Sequence, residues 1–180
     1  MERTRDNSPR ILTNDPSFTA WGWAIVDGRG NVFKSGCIKT APETKKRRIR
    51  VSDDRTRRTE EITKYLLKLI RDHNITYLLS EAPHGSQNAS AAVMIGIVIG
   101  VLVGISETLN IPIEWYSEQD SKKCLLGKKS ATKDDVIEAI DRLYEIDWTK
   151  TKYIDEAVAD AMAVHHVATK QSQILKYMLQ

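Results

Sequence analysis

The chain has 180 residues, of which 41% are hydrophobic and 28% are charged, with a formal net charge of +3. These values are typical of one soluble domain with a substantial core. Its two cysteines, Cys37 and Cys124, lack the spacing of a metal site and indicate a reducing compartment. No apolar run follows the charged N-terminus, and the most apolar segment, residues 91–105, is short for a membrane span. We therefore expect a cytoplasmic protein, nucleoid-associated if it binds DNA, with no signal peptide and no membrane partner.

Hydrophobic periodicity and turn signals predict strands and helices in a defined order along the chain. Three strands come first, helices and strands then alternate, and residues 1–9 form a flexible arm before a single domain at residues 10–180. This order predicts an α/β fold with a mixed five-stranded sheet and helices on both faces. The strands are expected at 10–15, 20–27, 31–39, 75–80 and 111–116, and the helices at 56–73, about 88–109, about 131–144 and about 153–168.

Basic residues are concentrated in two segments. Residues 45–58 (KKRRIRVSDDRTRR) contain eight basic and two acidic residues, and residues 121–133 (SKKCLLGKKSATK) contain five lysines and no acid. A single charged segment is usually a solvated surface, but two of them in one small domain favour a polyanionic partner.

Acidic residues end two of the predicted strands. Asp15 ends the first strand and Glu81 the fourth, so the two carboxylates lie side by side if these strands are neighbours. Glu156 and Asp160, four residues apart, share one face of the last helix, where alanines permit a close approach to the sheet. Buried acids repel one another unless a cation joins them, and oxygen ligands suit Mg²⁺ or Mn²⁺. The alternative is a set of separate surface acids and helix caps, with Asp155 as one such cap.

Four segments resemble the motifs of the RuvC-like Holliday junction resolvases, which have the RNase H-like fold. DPSFTAWGWAIVD (residues 15–27) is similar to the first motif, and in the second Glu81 is followed by Asn88 and Gly96 at seven and fifteen residues. In the third, Lys122 and Lys133 lie five residues before and six after Gly127, and DEAVADAMAVHH (residues 155–166) is similar to the C-terminal acidic helix. The four motifs occur in the family's order.

The resemblance implies a structure-selective endonuclease that resolves four-way junctions by symmetric nicking. Its active site would hold two Mg²⁺ ions, with Mn²⁺ as a substitute, and the enzyme would act as a homodimer without a nucleotide cofactor. The implied metal ligands are Asp15, Glu81, Glu156 and Asp160, with Asp155 in reserve, and Lys133 joins them as a catalytic residue. The implied DNA contacts are Lys122, Lys123, Lys128, Lys129, Arg47, Arg48, Arg50, Arg57, Arg58, His84 and Asn88.

The sequence departs from the family pattern in three places. Thr13 and Asn14 replace the small apolar pair before Asp15, so we expect a local network to satisfy the buried Asn14 side chain. Position 157, three before Asp160, is alanine where the family often has an acid, which makes Glu156 the candidate fourth ligand. His84 stands where bacterial members insert an aromatic residue, and it either stacks on a base or is a plain loop histidine.

Several alternatives stay open at this point. An RNase H-like nuclease could prefer branched or flap DNA, or an RNA–DNA hybrid, and a non-catalytic binder of branched DNA is a rival of another class. The acid set argues against the binder, because clustered carboxylates do not help to bind a polyanion. Gly96, Gly100 and Gly104 recur every four residues on the apolar helix. Their face either forms the dimer interface or packs on the protein's own sheet.

Overall fold

The computed structural model describes residues 9–43 and 49–178, so the arm expected at the N-terminus lies almost entirely outside the described residues. The strands, in chain order, are β1 (Arg10–Asp15), β2 (Ala20–Asp27), β3 (Val32–Lys39), β4 (Ile75–Glu81) and β5 (Ile113–Tyr116). The helices are α1 (Val51–His73), α2 (Ala89–Leu109), α3 (Glu118–Leu126), α4 (Lys133–Leu143), α5 (Lys152–Gln171) and α6 (Gln173–Met178).

The five strands form one mixed sheet in the order β3-β2-β1-β4-β5. The first three strands are an antiparallel meander, and β4 and β5 then add in parallel beside β1. Two short turns suffice for the meander, whereas each parallel addition follows a helical crossover. The predicted mixed five-stranded sheet is confirmed.

Alternating side chains of the strands build a core on each face of the sheet. Leu12 and Leu78 point toward one core, which α1 and α2 cover through residues such as Leu66 and Leu102. Ile11, the neighbour of Leu12, points toward the opposite core, formed mainly with α5 and α4. Successive strand residues face opposite sides, so both faces require a helical cover. Helices on both faces, as predicted, are confirmed.

Two differences from the predicted elements concern helices rich in polar residues. The first helix begins at Val51, five residues earlier than predicted, and its first turn carries Asp53, which pairs with Arg50 at 2.9 Å. Helix α3 was not predicted, because its nine residues show little apolar periodicity. Its ends carry the signals that specify it: Ser117 caps its N-terminus, and Gly127 ends it with a positive φ of 72°.

Helix α2 is more exposed than a core helix of its hydrophobicity would be. Its 21 residues are long and apolar enough to cross a membrane by length and composition, yet only 22% of its most apolar window is buried. The helix is therefore longer than the apolar run at residues 91–105, and the expectation of no membrane-spanning segment stays a prediction. The residues that it does bury, among them Val98, Leu102 and Ile105, pack on the sheet side. Its remaining apolar face is solvent-exposed.

Candidate active site

The sheet brings the first two predicted acids together at one edge. In the parallel β1–β4 ladder Asn14 pairs with Ser80, and Asp15 and Glu81 are the next residues on their strands. Thr13 is two residues before Asp15, so their side chains share one face of the sheet. The Thr13 hydroxyl donates to the Ala161 carbonyl of α5, which identifies this face as the one that α5 covers.

A close backbone contact brings Asp160 to the same place. Gly22 pairs with Asp15 across the β1–β2 ladder, and a Cβ atom on Gly22 would lie 2.0 Å from the Ala157 carbonyl oxygen. Helix α5 can therefore approach the sheet beside Asp15 only because residue 22 has no side chain. Asp160, about one turn beyond Ala157, is 5% exposed.

Lys133 reaches this acid cluster from a separate helix. Thr132 and Asp135 form a reciprocal capping box that fixes the start of α4 at Lys133. The Lys133 ammonium donates to the Asp160 carboxylate, although 45% of the lysine side chain is exposed. The lysine thus touches the buried acid and solvent at once, which suits a group that meets a phosphate arriving from outside.

The pKa values of the three carboxylates are all raised above their usual values. Burial, followed by the charge of Asp160, raises the pKa of Asp15 to about 7. Burial, followed by the charges of Asp15 and Asp160, raises the pKa of Glu81 to about 8. Burial also raises the pKa of Asp160, against the opposing effect of Lys133. Burial is the largest cause of each shift, and the further contributions of Asp160 to Asp15, and of both to Glu81, agree with a position of the three groups near one another.

This chemistry fits a divalent cation. Within residues 9–43 and 49–178, no three His, Cys, Asp or Glu side chains converge tightly enough to form a metal site, and the Lys133 ammonium contacts Asp160. The donors are nevertheless all carboxylate oxygens, and burial is the largest cause of their raised pKa values. A bound cation favours the charged form of such carboxylates, and oxygen ligands match the preference of Mg²⁺ and Mn²⁺.

The two candidates for a fourth acid differ in their surroundings. The Glu156 side chain is 25% exposed and lies 3.8 Å from the Lys152 ammonium, so it can reorient toward the cluster. The Asp155 carboxylate is buried and accepts hydrogen bonds from the backbone N–H and hydroxyl of Thr149, at 2.9 and 2.8 Å. Because Asp155 already has these partners, its role as a reserve ligand loses support.

Glu118 is an acid near the site that the sequence reasoning did not select. It is the first residue of α3, just past the end of β5, and its charge contributes to the raised pKa values of Asp15, Glu81 and Asp160. Its carboxylate contacts Lys122 at 2.5 Å and His84 at 3.5 Å. The missed helix explains the omission, since the register of β5 beside β4 places Glu118 near Glu81.

The predicted DNA contacts fall into several groups. Lys123, Lys128 and Lys129 are exposed around the end of α3, and exposed arginines lie just before α1 (Arg50) and on it (Arg57). Lys122 is held against Glu118 with a side chain only 13% exposed. The exposed Asn88 side chain caps α2 by accepting from the Ala91 N–H at 3.0 Å. Arg47 and Arg48 lie outside the described residues.

The prediction that Arg58 contacts DNA is wrong. Arg58 is only 5% exposed, and its guanidinium points into the protein, where it donates to Thr40 and Phe18. Sequence placed it in a basic segment, but the helix that begins at Val51 turns position 58 toward the sheet together with Ile62 and Leu66.

The polar residue before Asp15 has the network that its burial requires. Asn14 donates to the Leu12 and Leu79 carbonyls at 3.1 and 3.0 Å, and it accepts from the Trp21 indole at 3.1 Å. The bonds to Leu79 and Trp21 join β1 to β4 and to β2, and the bond to Leu12 lies within β1. The expected local network at Asn14 is confirmed.

The mixed sheet, the helices on both faces and the acids at the ends of β1 and β4 define an RNase H-like protein with a candidate nuclease site. The family model described as "Crossover junction endodeoxyribonuclease RuvC" matches residues 11–166, and the chain belongs to this family.

Individual proteins agree with this assignment. The RuvC proteins of Shewanella woodyi and Shewanella piezotolerans are 25% and 28% identical to the chain, over 91% and 90% of it and 90% and 88% of their own lengths. A structure of Thermus thermophilus RuvC in complex with a Holliday junction substrate superposes with a TM-score of 0.73 at 16% identity, covering 92% of this chain and 96% of that one. The yeast mitochondrial Holliday junction resolvase gives 0.63 at 10% identity, covering 94% and 81%. At these identities the two structures support the fold.

Proposed function

We propose that this chain is a Holliday junction resolvase that nicks DNA strands symmetrically at four-way junctions. The observation that carries the proposal is the meeting of Asp15, Glu81, Asp160 and Lys133 from four different elements at one edge of the sheet. The family match and the junction-bound relative support the choice of substrate.

We infer that Asp15, Glu81 and Asp160 hold Mg²⁺, with Mn²⁺ as a substitute, and that Glu156 supplies the fourth carboxylate. When bound, a pair of such ions supplies an activated water and stabilises charge in an in-line displacement at phosphorus. The protein's own contribution is to fix the carboxylates on rigid elements. The products are nicks with 5′-phosphate and 3′-hydroxyl ends.

Lys133 is the cation of the chain that is best placed to act on the reacting phosphate. Its ammonium is bound to Asp160 and partly open to solvent, so an entering phosphate oxygen can share it. Burial lowers the pKa of Lys133, but Asp160, Asp15 and Glu81 together outweigh it, so the pKa lies above its usual value. The lysine therefore stays charged at neutral pH and can stabilise a developing oxyanion.

The exposed basic residues form two surfaces that would hold the DNA arms. One comprises Lys123, Lys128 and Lys129, and the other comprises Arg50 and Arg57, to which we add Arg47 and Arg48 from outside the described residues. These contacts position the duplex without reading its sequence. Lys122 and His84, which both contact Glu118, and Asn88 would meet the strands close to the crossover. His84 either stacks on a base there or remains a loop residue.

We propose that a second copy of the chain binds the exposed face of α2. Cβ atoms built on Gly96, Gly100 and Gly104 would meet no atom within 4 Å, so this face does not pack on the chain's own described residues. Val93 and Val103 are 47% and 42% exposed beside it. A four-way junction is nearly two-fold symmetric, so paired cuts require a two-fold dimer, and a glycine stripe lets two helices approach closely.

Membrane insertion fits α2 less well than dimerisation does. To enter a bilayer α2 would have to leave the sheet, which would expose the Leu66 and Leu78 core that Val98, Leu102 and Ile105 now cover. Because the proposed substrate is DNA, we also propose that the protein is associated with the nucleoid in the cytoplasm.

Cleavage assays on substrates of matched sequence test the proposal. Four-way junction, flap and RNA–DNA hybrid should be compared in Mg²⁺, and we expect paired symmetric nicks in the junction alone. Asp15→Asn should abolish cleavage and leave junction affinity nearly intact. Preferential cutting of the flap or hybrid would replace the proposed substrate, and tight junction binding with no cleavage in Mg²⁺ or Mn²⁺ would favour a non-catalytic binder.

A further inference from the structure

Arg58 is a buried cation whose side chain contacts the turn after Asp15. Its Nε donates to the Thr40 hydroxyl at 2.9 Å, and its Nη2 donates to the Phe18 carbonyl at 3.0 Å and the Thr19 hydroxyl at 3.2 Å. The guanidinium also stacks 4.3 Å above the centre of the Phe18 ring. One arginine therefore joins α1 to a turn and to the end of β3.

Phe18 and Thr19 belong to the short turn, residues 16–19, that connects Asp15 to β2. Thr40 reinforces the grip of Arg58: its hydroxyl donates to the Phe18 carbonyl at 2.6 Å and its N–H to the Thr19 carbonyl at 3.0 Å. The Phe18 carbonyl thus accepts hydrogen bonds from two side chains, those of Arg58 and Thr40. Arg58 lies on α1, and Thr40 directly follows β3.

A guanidinium is a costly group to bury, and an apolar side chain in its place would often be tolerated for stability alone. Here the planar guanidinium donates through Nε to Thr40 and through Nη2 to two acceptors on the turn, while its plane covers an aromatic ring. Neither the Lys133 site nor the exposed basic surfaces use Arg58, so the established activity of the family leaves its role unassigned.

We propose that Arg58 is a positioning residue for Asp15: by fixing residues 16–19 it holds the carboxylate at the end of β1 in its working place. This inference rests on the proposed nuclease function and adds a residue that contacts neither DNA nor metal. Its effect belongs to the chemical step, since misplacement of a catalytic group by about 1 Å can reduce a rate by roughly 100-fold.

The test compares variants of three residues on α1. Arg58→Met removes the donors and keeps the length of the side chain, and Arg58→Lys keeps the charge and one donor. Arg57→Met alters an exposed neighbour that we place on the DNA surface. Leu69 is 5% exposed in the core that α1 covers, and Leu69→Ala lowers stability without altering the turn.

The measurements are junction affinity as a function of salt, the single-turnover cleavage rate at saturating enzyme, and hydrogen–deuterium exchange of residues 15–20. For Arg58→Met we expect faster exchange in that segment and a rate lower by about 10- to 100-fold, with affinity and salt dependence unchanged. Arg58→Lys should recover part of the protection from exchange and part of the cleavage rate. Leu69→Ala should keep the wild-type rate well below its melting temperature, and Arg57→Met should weaken and flatten salt-dependent binding.

Two results would overturn the inference. Exchange at residues 15–20 that is unchanged in a folded Arg58→Met protein would show that Arg58 does not fix the turn. Loss of affinity and of salt dependence in that variant would return Arg58 to the DNA contacts. If the wild-type protein cleaves no junction the proposed function fails, whereas the exchange experiment still reports on the turn.

Discussion

Gly22 on β2 and Ala157 on α5 are in backbone contact, closely enough that a Cβ on Gly22 would lie 2.0 Å from the Ala157 carbonyl oxygen and 2.8 Å from the Ala157 Cβ. Ala157, which stands where the family resemblance led us to expect an acid, is 6% exposed and lies against strand β2. The same contact brings Asp160 to Asp15, so the site depends on two residues that contribute no functional group.

Gly22→Ala should separate α5 from the sheet. The added methyl cannot be accommodated by a flexible side chain, because the opposing atoms are backbone. We expect the free energy of unfolding to fall by about 1–3 kcal/mol, as in other overpacked cores, and the cleavage rate to fall far more than junction affinity. Gly85→Ala is the control, since a Cβ there meets nothing within 4 Å. A Gly22→Ala protein with the wild-type rate would show that α5 can shift without disturbing Asp160.

Stability without metal should decrease as pH rises through neutrality. Asp15 and Glu81 have pKa values of about 7 and about 8 in the folded protein, above the values of 3.8 and 4.5 expected for unfolded side chains. Between those limits the folded state binds more protons than the unfolded state, so the free energy of unfolding falls with rising pH. Thermal melts in a chelator should therefore give a lower Tm at pH 8 than at pH 5.

Magnesium should stabilise the protein against unfolding more at pH 8 than at pH 5. At pH 8 the carboxylates must ionise, and a bound cation stabilises their charged forms, whereas at pH 5 protons compete with it. We expect Mg²⁺ to raise the Tm at pH 8 and to have little effect at pH 5, and Asp15→Asn to weaken both dependences. Equal Mg²⁺ stabilisation at the two pH values would place the ion away from these carboxylates.

The basic surfaces should appear in the salt dependence of junction binding. Each phosphate contact on duplex DNA contributes a log–log slope of about −0.9. Replacing Lys128 and Lys129 by glutamine should flatten the slope by about 1.8 if both contact phosphates, and replacing Arg47, Arg48 and Arg50 should flatten it further. Fluorescence anisotropy titrations over a range of salt concentrations measure the slope, and a cluster whose loss leaves it unchanged lies off the DNA path.

The exposed face of α2 should control the oligomeric state. A charge at Val103 would be buried without a partner in a dimer that uses this face, so Val103→Glu should yield a folded monomer in analytical ultracentrifugation. Tyr177→Glu, at a position that is 79% exposed on α6, is the control for added surface charge. The monomer should lose paired symmetric cuts. A stable Val103→Glu dimer would move the interface to another face.

The sequence was sufficient to predict most of the fold, because its strands alternate and its long helices are periodic. Helix α3 was missed because capping by Ser117 and Gly127, rather than an apolar stripe, defines its limits. Arg58 was assigned to the DNA contacts because the sequence of a basic segment does not show which of its residues a helix turns toward the core. In both cases the local signal was present, but the three-dimensional context determined its meaning.

The sequence predicts those site residues whose positions follow from the register of the strands. It does not predict those whose positions depend on how helices and side chains pack. Asp15 and Glu81 follow from two parallel strands that end together. The proximity of Glu118 depends on the missed helix, and the Gly22–Ala157 contact depends on the packing of α5 across β2. Neither leaves a periodic trace in the sequence. A glycine that pairs with the first acid across a hairpin is the one signal that could have indicated the close approach.

The remaining prediction distinguishes Glu156 from Asp155. Helix α5 begins at Lys152, before both residues, so helical geometry applies to each. Residues four apart diverge by about 40° around a helix and residues five apart by about 140°. Glu156 therefore shares a face with Asp160, whereas Asp155 projects away from it and binds Thr149.

Glu156→Gln should consequently be nearly inactive but folded, and Asp155→Asn should retain most of the activity. Asparagine keeps an acceptor for Thr149 but loses the charge, so Asp155→Asn should lower the free energy of unfolding by about 1 kcal/mol. Single-turnover cleavage, thermal melts and Mg²⁺ titrations followed by Tm separate the two effects, since only the loss of a metal ligand weakens Mg²⁺ stabilisation. If Glu156→Gln keeps its rate and its response to Mg²⁺ while Asp155→Asn loses both, Asp155 is the fourth ligand. If both variants keep them, neither residue is the fourth ligand, and Glu118 on α3 is the next acid to substitute.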